Sequence, residues 1–142
     1  MAKLGKPNIL LVDDRPENLL ALESALEEMN CNIFKATSGQ EALRLGLKHD
    51  FDLALLDVQM PEMDGFELAK LMQGKEKTKD IQIIFISAIS KEQKYIQKGY
   101  DIGAVNYLFK PIDPDELKRK VNVALLWGKY QKKMQAAEAR KQ

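Results

Sequence analysis

Short apolar runs recur along this chain and alternate with segments of helical spacing, and few folds accommodate that alternation. The first run, "NILLVD" (Asn8 to Asp13), places apolar residues at consecutive positions, as a strand buried on both faces requires. Leu19, Leu22, Leu26 and Met29 then follow at intervals of 3, 4 and 3, the spacing of one helix face. "CNIFKAT" (Cys31 to Thr37) reads as a second strand, more polar and so predicted at a sheet edge. Asp52 to Asp57 is the third, and "IQIIFIS" (Ile81 to Ser87) the fourth and most β-branched. "AVNYLF" (Ala104 to Phe109) is the fifth. Helical segments fall between them, near Glu41 to Lys48, Glu67 to Gly74 and Glu92 to Gly99.

Helix-start signals sit where the alternation demands them. Ser38 precedes Glu41 by three residues, Asp64 precedes Glu67 and Ser90 precedes Gln93, each a capping-box pair that satisfies free amide donors at a helix N-terminus. Asp113 is followed by Pro114, a favoured first helical residue, with Glu116 in third place. Five strands alternating with five helices predict an α/β fold with a five-stranded parallel sheet and helices on both faces. Right-handed crossovers then favour the doubly wound, flavodoxin-like order 2-1-3-4-5, whose site lies outside the carboxyl ends of strands 1 and 3.

Composition excludes several other classes. A chain of 142 residues is long enough for one domain with a sizeable core. A net charge of +1 gives neither the basic field of a nucleic-acid binder nor the acidic excess of a disordered chain. The single cysteine, Cys31, rules out an internal disulfide framework and fits a reducing compartment as a small apolar residue. No apolar run approaches the length of a membrane span, and the N-terminal segment reads as a strand rather than a signal peptide. A cytoplasmic location is the expectation.

The predicted topology gathers charge at one sheet edge. Strand 1 ends in Asp13-Asp14 and strand 3 in Asp57; strand 4 delivers Ser87 to the same edge, and Lys110 follows strand 5. Three neighbouring carboxylates repel one another, and burial raises their pKa values unless a cation sits among them. Oxygen ligands with no histidine or cysteine nearby suit a hard cation such as Mg2+. A hydroxyl and an ammonium beside such a centre fit phosphoryl transfer, where positioning and charge neutralisation dominate. Asp57, alone on the central strand, is the candidate nucleophile for an aspartyl phosphate, while Asp13 and Asp14 form a pair suited to metal.

These segments resemble the receiver domain of the response-regulator family of bacterial two-component and phosphorelay signalling. "ILLVDDRPEN", "DLALLDVQMPEMDGFEL", "IIFISA" and "GAVNYLFKPI" match it in order and spacing from about Asn8 to Leu126. The resemblance implies a phosphorylation-operated switch rather than a conventional enzyme. Asp57 is implied as phosphoacceptor. Asp13 and Asp14 would hold Mg2+, with help from Asp57 and the backbone carbonyl of Gln59. Ser87 would hydrogen-bond the phosphoryl group and Lys110 would pair with it, ahead of a cis Lys110–Pro111 bond. Tyr107 is implied as the switch aromatic, coupled to Ser87 and to the face made by helix 4, strand 5 and helix 5. The implied partners are a histidine kinase or histidine phosphotransfer protein as donor and a covalently linked output domain, with no direct nucleic acid and no membrane.

Taken singly, the same residues have plainer readings. Asp13-Asp14 could be a strand end and helix cap, Lys110 a loop lysine, and Tyr107 core filling. His49 is expected to be solvated, and "GKEKTKD" (Gly74 to Asp80) to be a solvated loop. A Mg-dependent phosphatase of the haloacid-dehalogenase type is the alternative, but it wants an acid two residues after its nucleophile, where this chain has Gln59. A flavin or nucleotide binder of similar topology would need a phosphate-cradling loop after strand 1, where this chain has acids. Residues 1–127 are expected to form the receiver domain and 128–142 a helical extension or linker toward a missing output domain, the chain being a fragment on this reading. Helix 5 carries a core stripe of Leu117, Val121 and Ala124. A second stripe of Val123, Trp127, Tyr130, Met134 and Ala137 reads either as a heptad seam for a homodimer or as a frayed amphipathic end.

Overall fold

A computed structural model describes residues 5–88, 93–104 and 106–141. Five strands alternate with five helices: β1 (Asn8–Val12), α1 (Pro16–Ala25), β2 (Asn32–Ala36), α2 (Gly39–Lys48), β3 (Leu53–Asp57), α3 (Gly65–Gln73), β4 (Gln82–Ser87), α4 (Gln93–Ile102), β5 (Asn106–Phe109) and α5 (Pro114–Lys141). Every pairing is parallel and the sheet order is β2-β1-β3-β4-β5, as the sequence predicts. β2 is an edge strand with mostly half-exposed residues, whereas every residue of β3 and β4 is buried.

The continuous apolar runs resolve into two cores by strict alternation. Leu10, Val12, Ala54, Leu56, Ile83, Phe85 and Tyr107 face one side and pack with Ala42, Phe66, Leu68, Ala69 and Met72 of α2 and α3. Ile9, Leu11, Leu53, Leu55, Ile84, Ile86 and Leu108 face the other and pack with Leu19, Leu22, Leu117, Val121 and Ala124 of α1 and α5. Successive strand residues point to opposite faces, so a strand covered on both must be apolar throughout.

Capping follows the sequence with one refinement. Ser38 Oγ accepts from the Glu41 amide at 3.1 Å and Asp64 Oδ1 from the Glu67 amide at 2.8 Å. The return bond of the first box goes one residue earlier than the usual pattern, from Thr37 N to Glu41 Oε1 at 2.7 Å. Asp113 Oδ1 accepts from Asp115 N at 3.1 Å, while Glu116 pairs instead with Lys120 at 3.2 Å. The expected Ser90 cap lies outside the described residues. The strands are shorter than the sequence suggests. Cys31 N closes a turn onto Met29 O at 2.9 Å, and Ala104 N bonds Gly99 O at 3.0 Å at the end of α4 rather than joining β5.

Two local expectations are corrected. His49 is only partly solvated: it caps the C-terminal end of α2 half-buried, its ring 4.5 Å from that of Phe34 and 6.1 Å from that of Phe51. The Gly74–Asp80 segment is exposed except at Thr78, which is buried with its hydroxyl donating to Met72 O at 2.5 Å. A threonine among charges is held inside because it closes the turn after α3. Among the described residues, no helix is long and apolar enough to cross a membrane.

Candidate functional site

Parallel pairing puts the carboxyl ends of β1, β3, β4 and β5 at one edge, and each delivers a polar residue there. Asp13 follows β1, its amide bonded to Ala36 O at 3.2 Å. Asp57 is the last residue of β3, and the next amide, Val58 N, donates to Ile86 O at 2.9 Å. Ser87 ends β4, its carbonyl accepting from Lys110 N at 2.9 Å just beyond β5. Lys110–Pro111 is cis, as the resemblance implies. Asp13, Asp57 and Ser87 are 1%, 2% and 4% exposed, so this edge is a polar centre sunk into the protein surface.

The loop after Asp57 folds straight back, with Gly65 N on Val58 O at 3.0 Å. A Cβ on Gly65 would lie 3.0 Å from both the carbonyl carbon of Asp57 and Cα of Val58, closer than a side chain tolerates. The "DG" pair after the turn is therefore required twice: Asp64 caps α3 and Gly65 lets α3 start against the strand end.

Carboxylate oxygens of Asp13, Asp14 and Asp57 all lie within 4.8 Å of one another, with Asp14 the most open of the three. Lys110 Nζ stands 3.5 Å from Asp13 Oδ2 and 3.6 Å from Asp57 Oδ1. One ammonium among three carboxylates leaves a negative excess, and the Asp57 pKa shows the result. Burial first, and the Asp13 charge second, push it up to about 6, against the opposing pull of Lys110 and the Gln59 backbone amide. Asp57 Oδ1 is a buried acceptor with no hydrogen-bond partner among the described residues. A carboxylate oxygen that accepts no hydrogen bond, two acidic neighbours and, among the described residues, no histidine or cysteine in the cluster are what a hard divalent cation fits.

Asp13 itself is held by two donors. Arg15 N donates to its Oδ1 at 2.9 Å, and the Asn18 amide nitrogen lies 3.3 and 3.2 Å from its two oxygens. Asn18 escaped the sequence reading, although one signal was present. It lies in the first turn of α1, where side chains lean back toward the helix start and hence toward the strand end.

Tyr107 lies on the same sheet face as Ser87, because β5 pairs with β4 as Phe85↔Tyr107 and Ser87↔Phe109. Its ring packs 5.6 Å from each of Phe85, Tyr100 and Phe109, and burial raises its phenol to about 12. The phenol end sits against Gly99 of α4, where a Cβ would collide with the tyrosine oxygen and come within 2.8 Å of Phe85 Cδ2. Lys120 of α5 donates to the Tyr107 carbonyl at 2.6 Å, a tie between strand and helix that sequence spacing gave no means of finding. Gln59 is exposed at the rim.

The model of the response regulator receiver domain family matches residues 9–122. A probable cyclic di-GMP phosphodiesterase of Vibrio cholerae is 36% identical over 125 residues, 88% of this chain and 28% of that protein. Transcriptional regulatory protein ResD of Bacillus subtilis is 34% identical over 125 residues, 88% of this chain and 50% of that protein. Among solved structures, chemotaxis protein CheY4 of Vibrio cholerae superposes with a TM-score of 0.79 at 29% identity, covering 85% of this chain and all of the other. The chain spans about half or less of the length of the curated relatives it matches.

Proposed function

This chain belongs to the response regulator receiver domain family, a phosphorylation-dependent signalling switch, and from that premise we propose that Asp57 is its phosphoacceptor. The observation that carries the proposal is the Asp57 carboxylate itself: buried at the end of the central strand, with one oxygen that accepts no hydrogen bond and faces only the Lys110 ammonium at 3.6 Å, and with two further acids beside it. A carboxylate oxygen of Asp57 attacks the phosphorus of a donor phosphohistidine, the phosphorus–nitrogen bond breaks, and the histidine leaves with a proton. Water later cleaves the acyl phosphate, returning the carboxylate and inorganic phosphate.

Asp13, Asp14 and Asp57, with the Gln59 carbonyl, are the residues to hold Mg2+. When bound, the ion supplies charge neutralisation and alignment for the transferring group. Lys110, already within 3.6 Å of the Asp57 carboxylate, pairs with the phosphoryl oxygens, and the Ser87 hydroxyl hydrogen-bonds them. Drawing Ser87 toward the phosphoryl group opens space on the face it shares with Tyr107, and the α4–β5–α5 surface shifts between two existing conformations. The haloacid-dehalogenase alternative gains nothing: Gln59 offers no acid–base group, and the family match lies elsewhere.

Residues 1–127 form the switch on this reading and 128–142 extend it toward a covalently linked output domain. The donor is a histidine kinase or histidine phosphotransfer protein, the setting is the cytoplasm, and a second copy of the chain pairs through α5. The test is incubation with Mg2+ and acetyl phosphate. One hydroxylamine-sensitive phosphoryl group should appear by intact mass, and Asp57→Asn should abolish it. Full labelling of that variant would overturn the assignment.

A further inference from the structure

The acidic centre occupies the carboxyl ends of the strands, and a second concavity opens at their amino ends. There a groove of about 570 Å³ runs between α5, the turn after α1 and the segment leading into β1. Its α5 wall is held in place. Gln82 Nε2 donates to Ala124 O at 2.6 Å and Lys132 Nζ pairs with Asp52 Oδ1 at 2.9 Å, so the helix is gripped on both sides of the stretch that lines the groove. Met29, Leu125 and Leu126 give it an apolar lining, and Leu126 is 58% exposed.

The charge of this groove has one sign. Lys118, Arg119 and Lys129 line it, and among the described residues no acid does. Arg119 and Lys129 make no ion pair among the described residues. Lys118 Nζ reaches Glu28 Oε2 at 3.5 Å, but that carboxylate is 86% exposed, and an exposed pair of this kind is worth little. An incoming carboxylate can take its place. The groove concentrates a wider asymmetry: Lys118 to Gln142 hold eight basic residues and a single acid, Glu138, in a chain whose net charge is +1.

Shape and chemistry select the occupant. Lys118 and Lys129 stand about 16 Å apart along the helix axis, a span that matches about three turns of a second helix and is long for a small anion. A flat bilayer does not follow a concave groove, and no aromatic residue lines it for a nucleic-acid base to stack on. We infer that the groove docks an acidic, amphipathic segment of a partner polypeptide, with apolar side chains over Leu125 and Leu126 and carboxylates on Lys118, Arg119 and Lys129. The groove is centred roughly a third of a turn around α5 from Trp127, Tyr130 and Met134. It also lies at the far end of the strands from Asp57. Docking there requires neither pairing of α5 nor phosphorylation. Its small size places it among weak, reversible interfaces.

The test uses the intact chain and a fluorescein-labelled synthetic helix with leucines along one face and glutamates flanking them. Fluorescence anisotropy should show saturable binding that weakens as salt is added. Arg119→Glu combined with Lys129→Glu should raise the dissociation constant about tenfold or more with the melting temperature unchanged, and Leu126→Ser should raise it several-fold. The same peptide with lysine in place of glutamate should ignore the wild type and bind the Arg119→Glu, Lys129→Glu variant. Cys31 is the single cysteine and lines the groove, so it reports occupancy. Its reaction with dithionitrobenzoate should slow several-fold when the glutamate peptide is present. Beryllofluoride should leave the affinity unchanged, and a shift would contradict the separation of this groove from the switch. Absence of saturable binding, or binding that leaves Cys31 fully reactive, overturns the inference. Protection of Cys31 by phosphatidylglycerol vesicles or a single-stranded oligonucleotide, but not by the glutamate peptide, overturns the choice of a polypeptide.

Discussion

The Asn18 amide rests against both oxygens of the Asp13 carboxylate, at 3.3 and 3.2 Å, and so sets the plane in which that carboxylate faces the acidic centre. Groups that orient a metal ligand without touching the metal typically matter by about 10–100-fold in affinity. Asn18→Ala should weaken Mg2+ binding by about tenfold by isothermal titration calorimetry, with unfolding little changed. Unaltered affinity would show that Arg15 N alone suffices to hold Asp13.

Lys110 sits 3.5 Å from Asp13 and 3.6 Å from Asp57, yet an ammonium is not a metal ligand. Lys110→Ala should leave Mg2+ affinity nearly intact or slightly tighter, because a competing positive charge has gone. The phosphorylated state should lose a charge-assisted contact of roughly 1.5–3 kcal/mol. Amide chemical-shift changes on adding beryllofluoride should then shrink in the variant. A full-sized response would remove Lys110 from the switch.

Asp57 predicts an unusual dependence of stability on pH. Its folded pKa is about 6, above the ordinary 3.8, so between those values the native state keeps a proton that the unfolded chain has shed. Without magnesium, stability should fall as pH rises from about 4 to about 6 and stay lowered above, a penalty on the order of 1–3 kcal/mol. Asp57→Asn removes the charge and should raise the urea midpoint at pH 7.5. Saturating magnesium should narrow the gap by stabilising only the wild type. An asparagine variant no more stable than the metal-free wild type at pH 7.5 would contradict the buried charge.

Gly99 reserves the space beside the Tyr107 phenol. Gly99→Ala gains helix propensity of about 1 kcal/mol but overpacks the ring, at about 1–3 kcal/mol. The expected result is a small net destabilisation together with displacement of Tyr107, seen as altered ring resonances in a tyrosine-labelled sample. Unchanged resonances would mean that α4, rather than the tyrosine, gives way.

Much of this architecture is readable from the chain because parallel sheets leave periodic traces. Leu53 to Leu56 are apolar at every position because the two cores claim alternate residues, and that signal located the central strand without ambiguity. Once the strands are parallel their carboxyl ends share an edge, so Asp13, Asp57, Ser87 and Lys110 could be grouped before any coordinates. What escaped has no period. Gln82 opens a strand as an ordinary polar residue, and only the approach of Ala124, 42 residues away, gives its amide an acceptor. Lys132 and Asp52 are 80 residues apart. The partial burial of His49 and the burial of Thr78 within a solvated loop escaped for the same reason: composition reports polarity, whereas burial of a polar side chain depends on which aromatic ring or carbonyl happens to be adjacent.

The grip of Gln82 and Asp52 on a single uninterrupted helix makes α5 a shaft with a fixed angular phase. Each added residue advances an α-helix by about 100°. One residue inserted between Lys132 and Met134 would swing the distal part of the seam roughly a quarter-turn away from Trp127, while seven would bring it almost back into line and merely lengthen the shaft. The angular position of any residue beyond Lys132 therefore depends on the length of the segment through its remainder after division by the helical repeat.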